Sequence, residues 1–146
     1  MKNIEKYIND KTIQTNVDIN TWEEAVIRGS EPLLENGDIE KKYVDAMIEA
    51  VYKYGPYMVL ADNFALMHSR PENGVLNTSM ALITTKHALD MNGKPVKVFL
   101  ILAAKDNQSH VKALSQITEI LSEESNFLKI MDGKKEEILS MIKGGE

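Results

Sequence analysis

The chain has 146 residues, 17 basic against 22 acidic side chains for a formal net charge of −5, and no cysteine. Without cysteine there is no disulfide framework, thiolate metal site, iron–sulfur cluster or cysteine nucleophile, and a reducing compartment is favoured. The acidic balance argues against bulk nucleic-acid binding, which needs a basic face. At 43% hydrophobic and 27% charged residues the chain reads as one ordinary globular domain over 1–146, long enough to bury about two-thirds of its unfolded surface. Glu5 and Asp10 fall where a signal peptide would carry its apolar core, and the apolar run Val98 to Ala104 is too short to span a bilayer. A cytoplasmic protein without membrane insertion is expected.

In chain order, the alternation in Thr12 to Val17 predicts a short strand. Thr21 can cap a helix, with Glu24 completing a capping box and Gly29 ending or bending it. A second helix, from about Glu40 to Tyr54, carries Tyr43, Val44, Met47, Ile48 and Val51 at helical spacing and stops at Gly55-Pro56. Tyr57 to Leu60 and Phe64 to Met67 read as extended segments turned at Asp62-Asn63, followed by the polar loop His68 to Gly74. Strands are predicted at Thr78 to Thr84 and Val96 to Ala104, joined through Asn92-Gly93-Lys94-Pro95. The unbroken run Val98 to Leu102 marks the central strand, covered on both faces. Ser109 is the expected cap of the next helix, which carries Val111, Leu114, Ile117, Ile120 and Leu121, and shorter helices follow at Glu123 to Met131 and Lys134 to Ile142. The pattern is that of an α/β fold, a three-layer α/β/α sandwich with a small mixed β-sheet flanked by helices.

Three histidines are the residues suited to chemistry near neutrality. His68 stands where an apolar strand gives way to a polar loop, and Arg70, two residues on, can fork two hydrogen bonds to a phosphate or carboxylate. The plain alternative is a turn that happens to contain both. His110 opens the helix after the central strand, where free N–H groups favour an anion and a neutral imidazole; the alternative is a surface histidine in a first turn. If the two preceding strands are parallel, both imidazoles share one edge of the sheet. His87 reads as solvated surface. No metal-ligand spacing or glycine-rich phosphate loop occurs, so neither a metal nor another cofactor is expected.

The segment Ala65-Leu66-Met67-His68-Ser69-Arg70-Pro71-Glu72-Asn73-Gly74-Val75 resembles the IIA components of the bacterial phosphoenolpyruvate-dependent sugar phosphotransferase system (PTS), of the mannitol/fructose type. Its HxRPE stretch is more similar to the ascorbate-type branch. Tyr54-Gly55-Pro56-Tyr57 before it, and Leu102-Ala103-Ala104-Lys105-Asp106 through His110 and Leu114 after it, extend the resemblance over nearly the whole chain. It implies a single EIIA type-2 domain in which His68 is the phosphorylated nucleophile. The phosphoryl group would come from the histidine carrier HPr and pass to a cysteine of a IIB component, for uptake of a sugar such as ascorbate, mannitol or fructose. His110 would lie beside His68 and stabilise the phosphoryl group. The family pattern has Pro before the histidine and Gly or Ala after it, where this chain has Met67 and Ser69. The mannitol-type helix arginine has no counterpart in Val51-Tyr52-Lys53-Tyr54, which makes Arg70 the candidate phosphoryl clamp. Phe64, Leu66 and Met67 could dock partners, although packing is the plainer fate of at least two of them. Contact with a membrane IIC component would be indirect, through IIB. The alternative function is a regulatory IIA-like module whose phosphorylation state controls a partner protein.

Overall fold

The computed structural model describes residues 4–106, 108 and 110–144. Its strands are β1 (Ile13–Val17), β2 (Val59–Ala61), β3 (Asn63–Met67), β4 (Ser79–Met91) and β5 (Lys94–Ala103); its helices are α1 (Trp22–Glu35), α2 (Lys41–Tyr54), α3 (Val111–Ser122), α4 (Glu124–Met131) and α5 (Lys135–Gly144). The strands form one mixed sheet in the order β1-β4-β5-β3-β2. β1 with β4 and β3 with β5 are parallel, whereas β4 with β5 and β2 with β3 are antiparallel. The expected three layers are present, and the apolar run of β5 is the middle strand.

Side chains of β5 alternate between two cores. Phe99 and Ile101 face Trp22, Val26 and Leu33 of α1 and Tyr43 and Met47 of α2. Val98 and Leu100 face Ile117 and Leu121 of α3, Ile130 of α4 and Ile138 of α5. Burial on both sides is why the sequence of β5 shows no polar alternation.

Thr21 caps α1 as expected, its hydroxyl accepting the Glu24 N–H at 3.2 Å. The Glu24 carboxylate reaches the Asn20 N–H at 3.4 Å, so the reciprocal half of the box closes one residue early. The helix does not end at Gly29 but runs through Pro32 to Glu35. Gly29 serves close approach instead: a Cβ there would lie 2.7 Å from Ile101 Cδ1 and 2.8 Å from Ile83 Cγ2 on the sheet below. Pro32 has no N–H for the Arg28 carbonyl, and the Gln14 side-chain amide of β1 donates to that oxygen at 2.7 Å. A strand side chain thereby mends the helix that the proline interrupts.

β4 is longer than the predicted Thr78 to Thr84 and continues to Met91. Lys86, His87 and Ala88 are exposed one after another, in a bulge between the pairs Thr84↔Val98 and Leu89↔Val96, which removes the period-2 signal. The connection is the two-residue turn Asn92-Gly93, with φ of 50° and 99°, and Lys94 and Pro95 already belong to β5. On α3 the buried stripe is Ala113, Ile117 and Leu121, while Val111 is exposed. The expected cap Ser109 lies outside the described residues. Among the described helices none is long and apolar enough to cross a membrane.

Gly29→Ala is expected to destabilise the fold by about 1–3 kcal/mol, because Ile83 and Ile101 must leave their rotamers or α1 must lift off the sheet. A lowered urea midpoint with an unchanged m-value checks this.

Candidate functional site

Parallel pairing of β3 and β5, with Leu66 opposite Leu100 and Met67 opposite Ile101, ends both strands on the same edge of the sheet. The chain leaves β3 into His68 and leaves β5 towards His110. Both imidazoles line one depression of about 170 Å³, together with Tyr43, Ser69 and Asp106. His87, exposed on β4, is not part of it. Among the described residues no group of three His, Cys, Asp or Glu side chains could hold a metal ion. A larger groove of about 670 Å³ lies between Leu60 and Phe64 on one side and Leu121, Phe127 and Leu128 on the other. It is mainly apolar, and no histidine lines it.

His68 is half-buried, with Nδ1 2.9 Å from the Leu66 carbonyl oxygen. A carbonyl only accepts, so this contact puts the proton on Nδ1 and leaves the Nε2 lone pair free in the neutral ring. The Tyr57 ring stands edge-on to the imidazole, 6.4 Å between centroids and 84° between planes. One backbone oxygen and one aromatic ring therefore fix both the tautomer and the orientation of the His68 imidazole.

Tyr43 is the residue that sequence reading placed only in the apolar face of its helix. Its ring is fully buried, and its hydroxyl stands where three elements meet. It donates to the Leu102 carbonyl at 2.6 Å and accepts the Ser69 N–H at 2.9 Å. The Ser69 hydroxyl in turn accepts from Asn73 Nδ2 at 3.0 Å. Burial pushes the Tyr43 phenol from its ordinary 10.0 up to about 12, with the Ser69 backbone bond pulling weakly the other way. The available signal was general: a tyrosine within an apolar stripe must find a partner for its hydroxyl.

The same loop is stitched to the start of α2 from its far end. The Glu40 N–H donates to the Gly74 carbonyl at 2.8 Å, and the Leu76 and Asn77 N–H groups both donate to the Asp38 carbonyl, at 2.8 and 3.0 Å. Gly74, at φ 128°, lets the backbones touch, since a Cβ would meet the Tyr43 nitrogen at 3.2 Å.

His110 is half-buried at the N-cap of α3, and among the described residues its buried Nδ1 has no hydrogen-bond partner. Arg70 does not line the depression: its side chain is 82% exposed, 4.0 Å from Glu72. Of the apolar residues around the motif, Phe64 and Met67 are buried in the core and Leu66 is half-buried. The exposed apolar surface beside His68 is Tyr57, edge-on to Tyr54 at 6.3 Å.

Tyr43→Phe strands the Ser69 N–H and is expected to cost about 1–3 kcal/mol. Because the phenol is raised in the folded state, its stabilisation is whole below the unfolded value of 10.0 and fades as pH climbs through about 12. The stability gap between wild type and Tyr43→Phe should therefore narrow from about pH 9 to about pH 11 in urea unfolding.

Comparison with known proteins gives the family and the fold. Residues 6–144 match the family model described as "Phosphoenolpyruvate-dependent sugar phosphotransferase system, EIIA 2". The chain is 34% identical over 147 aligned positions to the ascorbate-specific PTS system EIIA component of Shigella boydii, covering 97% of this chain and 96% of that relative. It is similar to the solution structure of the mannitol-specific cryptic phosphotransferase enzyme IIA of Escherichia coli, with a TM-score of 0.86, 27% identity and coverage of 95% and 97% of the two chains. The complex of the mannitol enzyme IIA with phosphorylated enzyme IIB from Escherichia coli shares the fold at a TM-score of 0.77 and 22% identity, over 93% of this chain and 96% of that one. The chain thus belongs to the type 2 EIIA family of the phosphoenolpyruvate-dependent sugar phosphotransferase system.

Proposed function

We propose that this EIIA component carries its phosphoryl group on Nε2 of His68, takes it from HPr, and passes it to a cysteine of a IIB partner serving ascorbate uptake in the cytoplasm. The observation that supports this most is the free Nε2 lone pair of His68 in the depression it shares with His110. In the forward step that lone pair forms a bond to phosphorus. The P–N bond to the HPr histidine breaks in line, and its electron pair returns to the donor imidazole. The charge that the His68 ring gains is eased through its Nδ1–H bond to the Leu66 carbonyl. In the second step the cysteine thiolate attacks phosphorus and the electron pair returns to Nε2.

Such transfer asks the protein for positioning and for donors facing the phosphoryl oxygens. His110 and the N-terminus of α3 supply those donors, and the orphaned Nδ1 of His110 is a group in want of a partner. Arg70, resting near Glu72 in the free chain, enters as a second clamp once a partner has docked. The half-buried position of His68 suits a relay between proteins, since an incoming imidazole or thiolate must reach the same nitrogen. The ascorbate assignment rests on the relatives of that name, and the IIB partner on the mannitol complex. Any contact with a membrane IIC component runs through IIB.

Incubation with enzyme I, HPr and phosphoenolpyruvate should place one acid-labile, alkali-stable phosphate on the chain, absent in His68→Gln. Label on His87, or none, overturns the assignment. His110→Ala should still accept phosphate, but about 100-fold more slowly.

A further inference from the structure

Ser69 stands where the family pattern has Gly or Ala, and its surroundings give its hydroxyl a definite direction. The backbone is held, because the Ser69 N–H donates to the buried Tyr43 hydroxyl at 2.9 Å. The side chain is held as well, because Asn73 Nδ2 donates to Ser69 Oγ at 3.0 Å. Asn73 is itself anchored at the end of the 3₁₀ turn Pro71–Asn73, with its N–H on the Arg70 carbonyl at 3.0 Å. A hydroxyl has one proton and two lone pairs. With an amide N–H on the oxygen, the hydroxyl is left to act as a donor, and among the described residues no acceptor takes its proton. Ser69 lines the depression that His68 and His110 line. Asp106 lines it too, a carboxylate that already accepts the Gln108 N–H at 2.8 Å and whose charge opposes a phosphoryl dianion. A site with that charge in its wall has use for another donor.

We propose that the Ser69 hydroxyl is a phosphoryl-binding donor, kept in the donor role by Asn73 and aimed by Tyr43. The proposal rests on the reading of His68 as the phosphorylated residue. In the free chain the proton goes to solvent; when Nε2 carries phosphate, it goes to a phosphoryl oxygen. Glycine or alanine at this position could present only a backbone N–H, and here Tyr43 has already taken that group. The serine therefore restores a donor that the tyrosine withdraws.

The test uses the whole chain with enzyme I, HPr and phosphoenolpyruvate, and reads two quantities: the equilibrium division of phosphate between HPr and the chain, and the ³¹P shift of the phosphohistidine. Ser69→Ala should move the equilibrium towards HPr by about tenfold, the worth of one hydrogen bond to a charged group, and should shift the ³¹P line. Ser69→Thr should restore both. Asn73→Asp, whose carboxylate captures the serine proton, should imitate Ser69→Ala, yet add nothing in the Ser69→Ala background. The proposal is overturned if Ser69→Ala stays within about twofold of wild type with an unmoved ³¹P line, or if Asn73→Asp costs as much with alanine at 69 as with serine. An altered unfolding midpoint in Ser69→Ala with both readouts unchanged would likewise assign Ser69 to structure alone and overturn it. Failure of wild type to take phosphate, or label surviving His68→Gln, strikes the underlying reading instead, so the two failures are distinct.

Discussion

The parallel ladder between β3 and β5 is the interaction on which everything else in the molecule depends. Two strands far apart in sequence pair side by side, so both end at the same edge. Each hands its chain on to a histidine there. The ladder is stable because both faces of β5 are buried, against α1 and α2 on one side and against α3, α4 and α5 on the other. Were the pair antiparallel, the same apolar residues could still fill a core, but His68 and His110 would stand at opposite ends of the sheet. The site is thus a consequence of strand direction before it is a matter of any one side chain.

Much of this was legible in the chain, and the misses have physical causes. The unbroken apolar run of β5 announced burial on both faces, and the Thr21 cap, the Gly55 stop and the positive-φ Asn63 turn fell where expected. Gly29 misled because a glycine within a helix looks like a stop; the Ile83 and Ile101 side chains that require it are distant in sequence. Pro32 was unreadable for the same reason, since the Gln14 amide that completes its helix comes from β1. The end of β4 was missed where three exposed residues in a bulge erased the alternation, although Asn92-Gly93 was itself a good hairpin signal.

In the site, residue types and their position after strands pointed to His68 and His110, and the structure brings those two together. What no spacing rule could supply was the hydroxyl at the centre. Tyr43 precedes Ser69 by 26 residues and Leu102 follows Tyr43 by 59, so the bonds that join α2, the loop after β3 and β5 exist only in the folded chain. Arg70, attractive by proximity in sequence, faces solvent beside Glu72 instead of the depression. Two residues along an irregular loop say little about direction, because a loop lacks the fixed side-chain period of a strand or helix.

The loop after β3 is joined to α2 at both ends, by Tyr43 to Ser69 at the near end and by Asp38 and Glu40 to Gly74, Leu76 and Asn77 at the far end. Helix and loop consequently form one mechanical unit, not a rigid helix with a soft flap. A force on the outer face of α2 therefore reaches the loop that begins at His68 as well, and a rearrangement of the loop must be felt along the helix. A load applied far from the imidazole and the setting of the imidazole itself share a lever, and a fold this small needs no separate moving part to connect them.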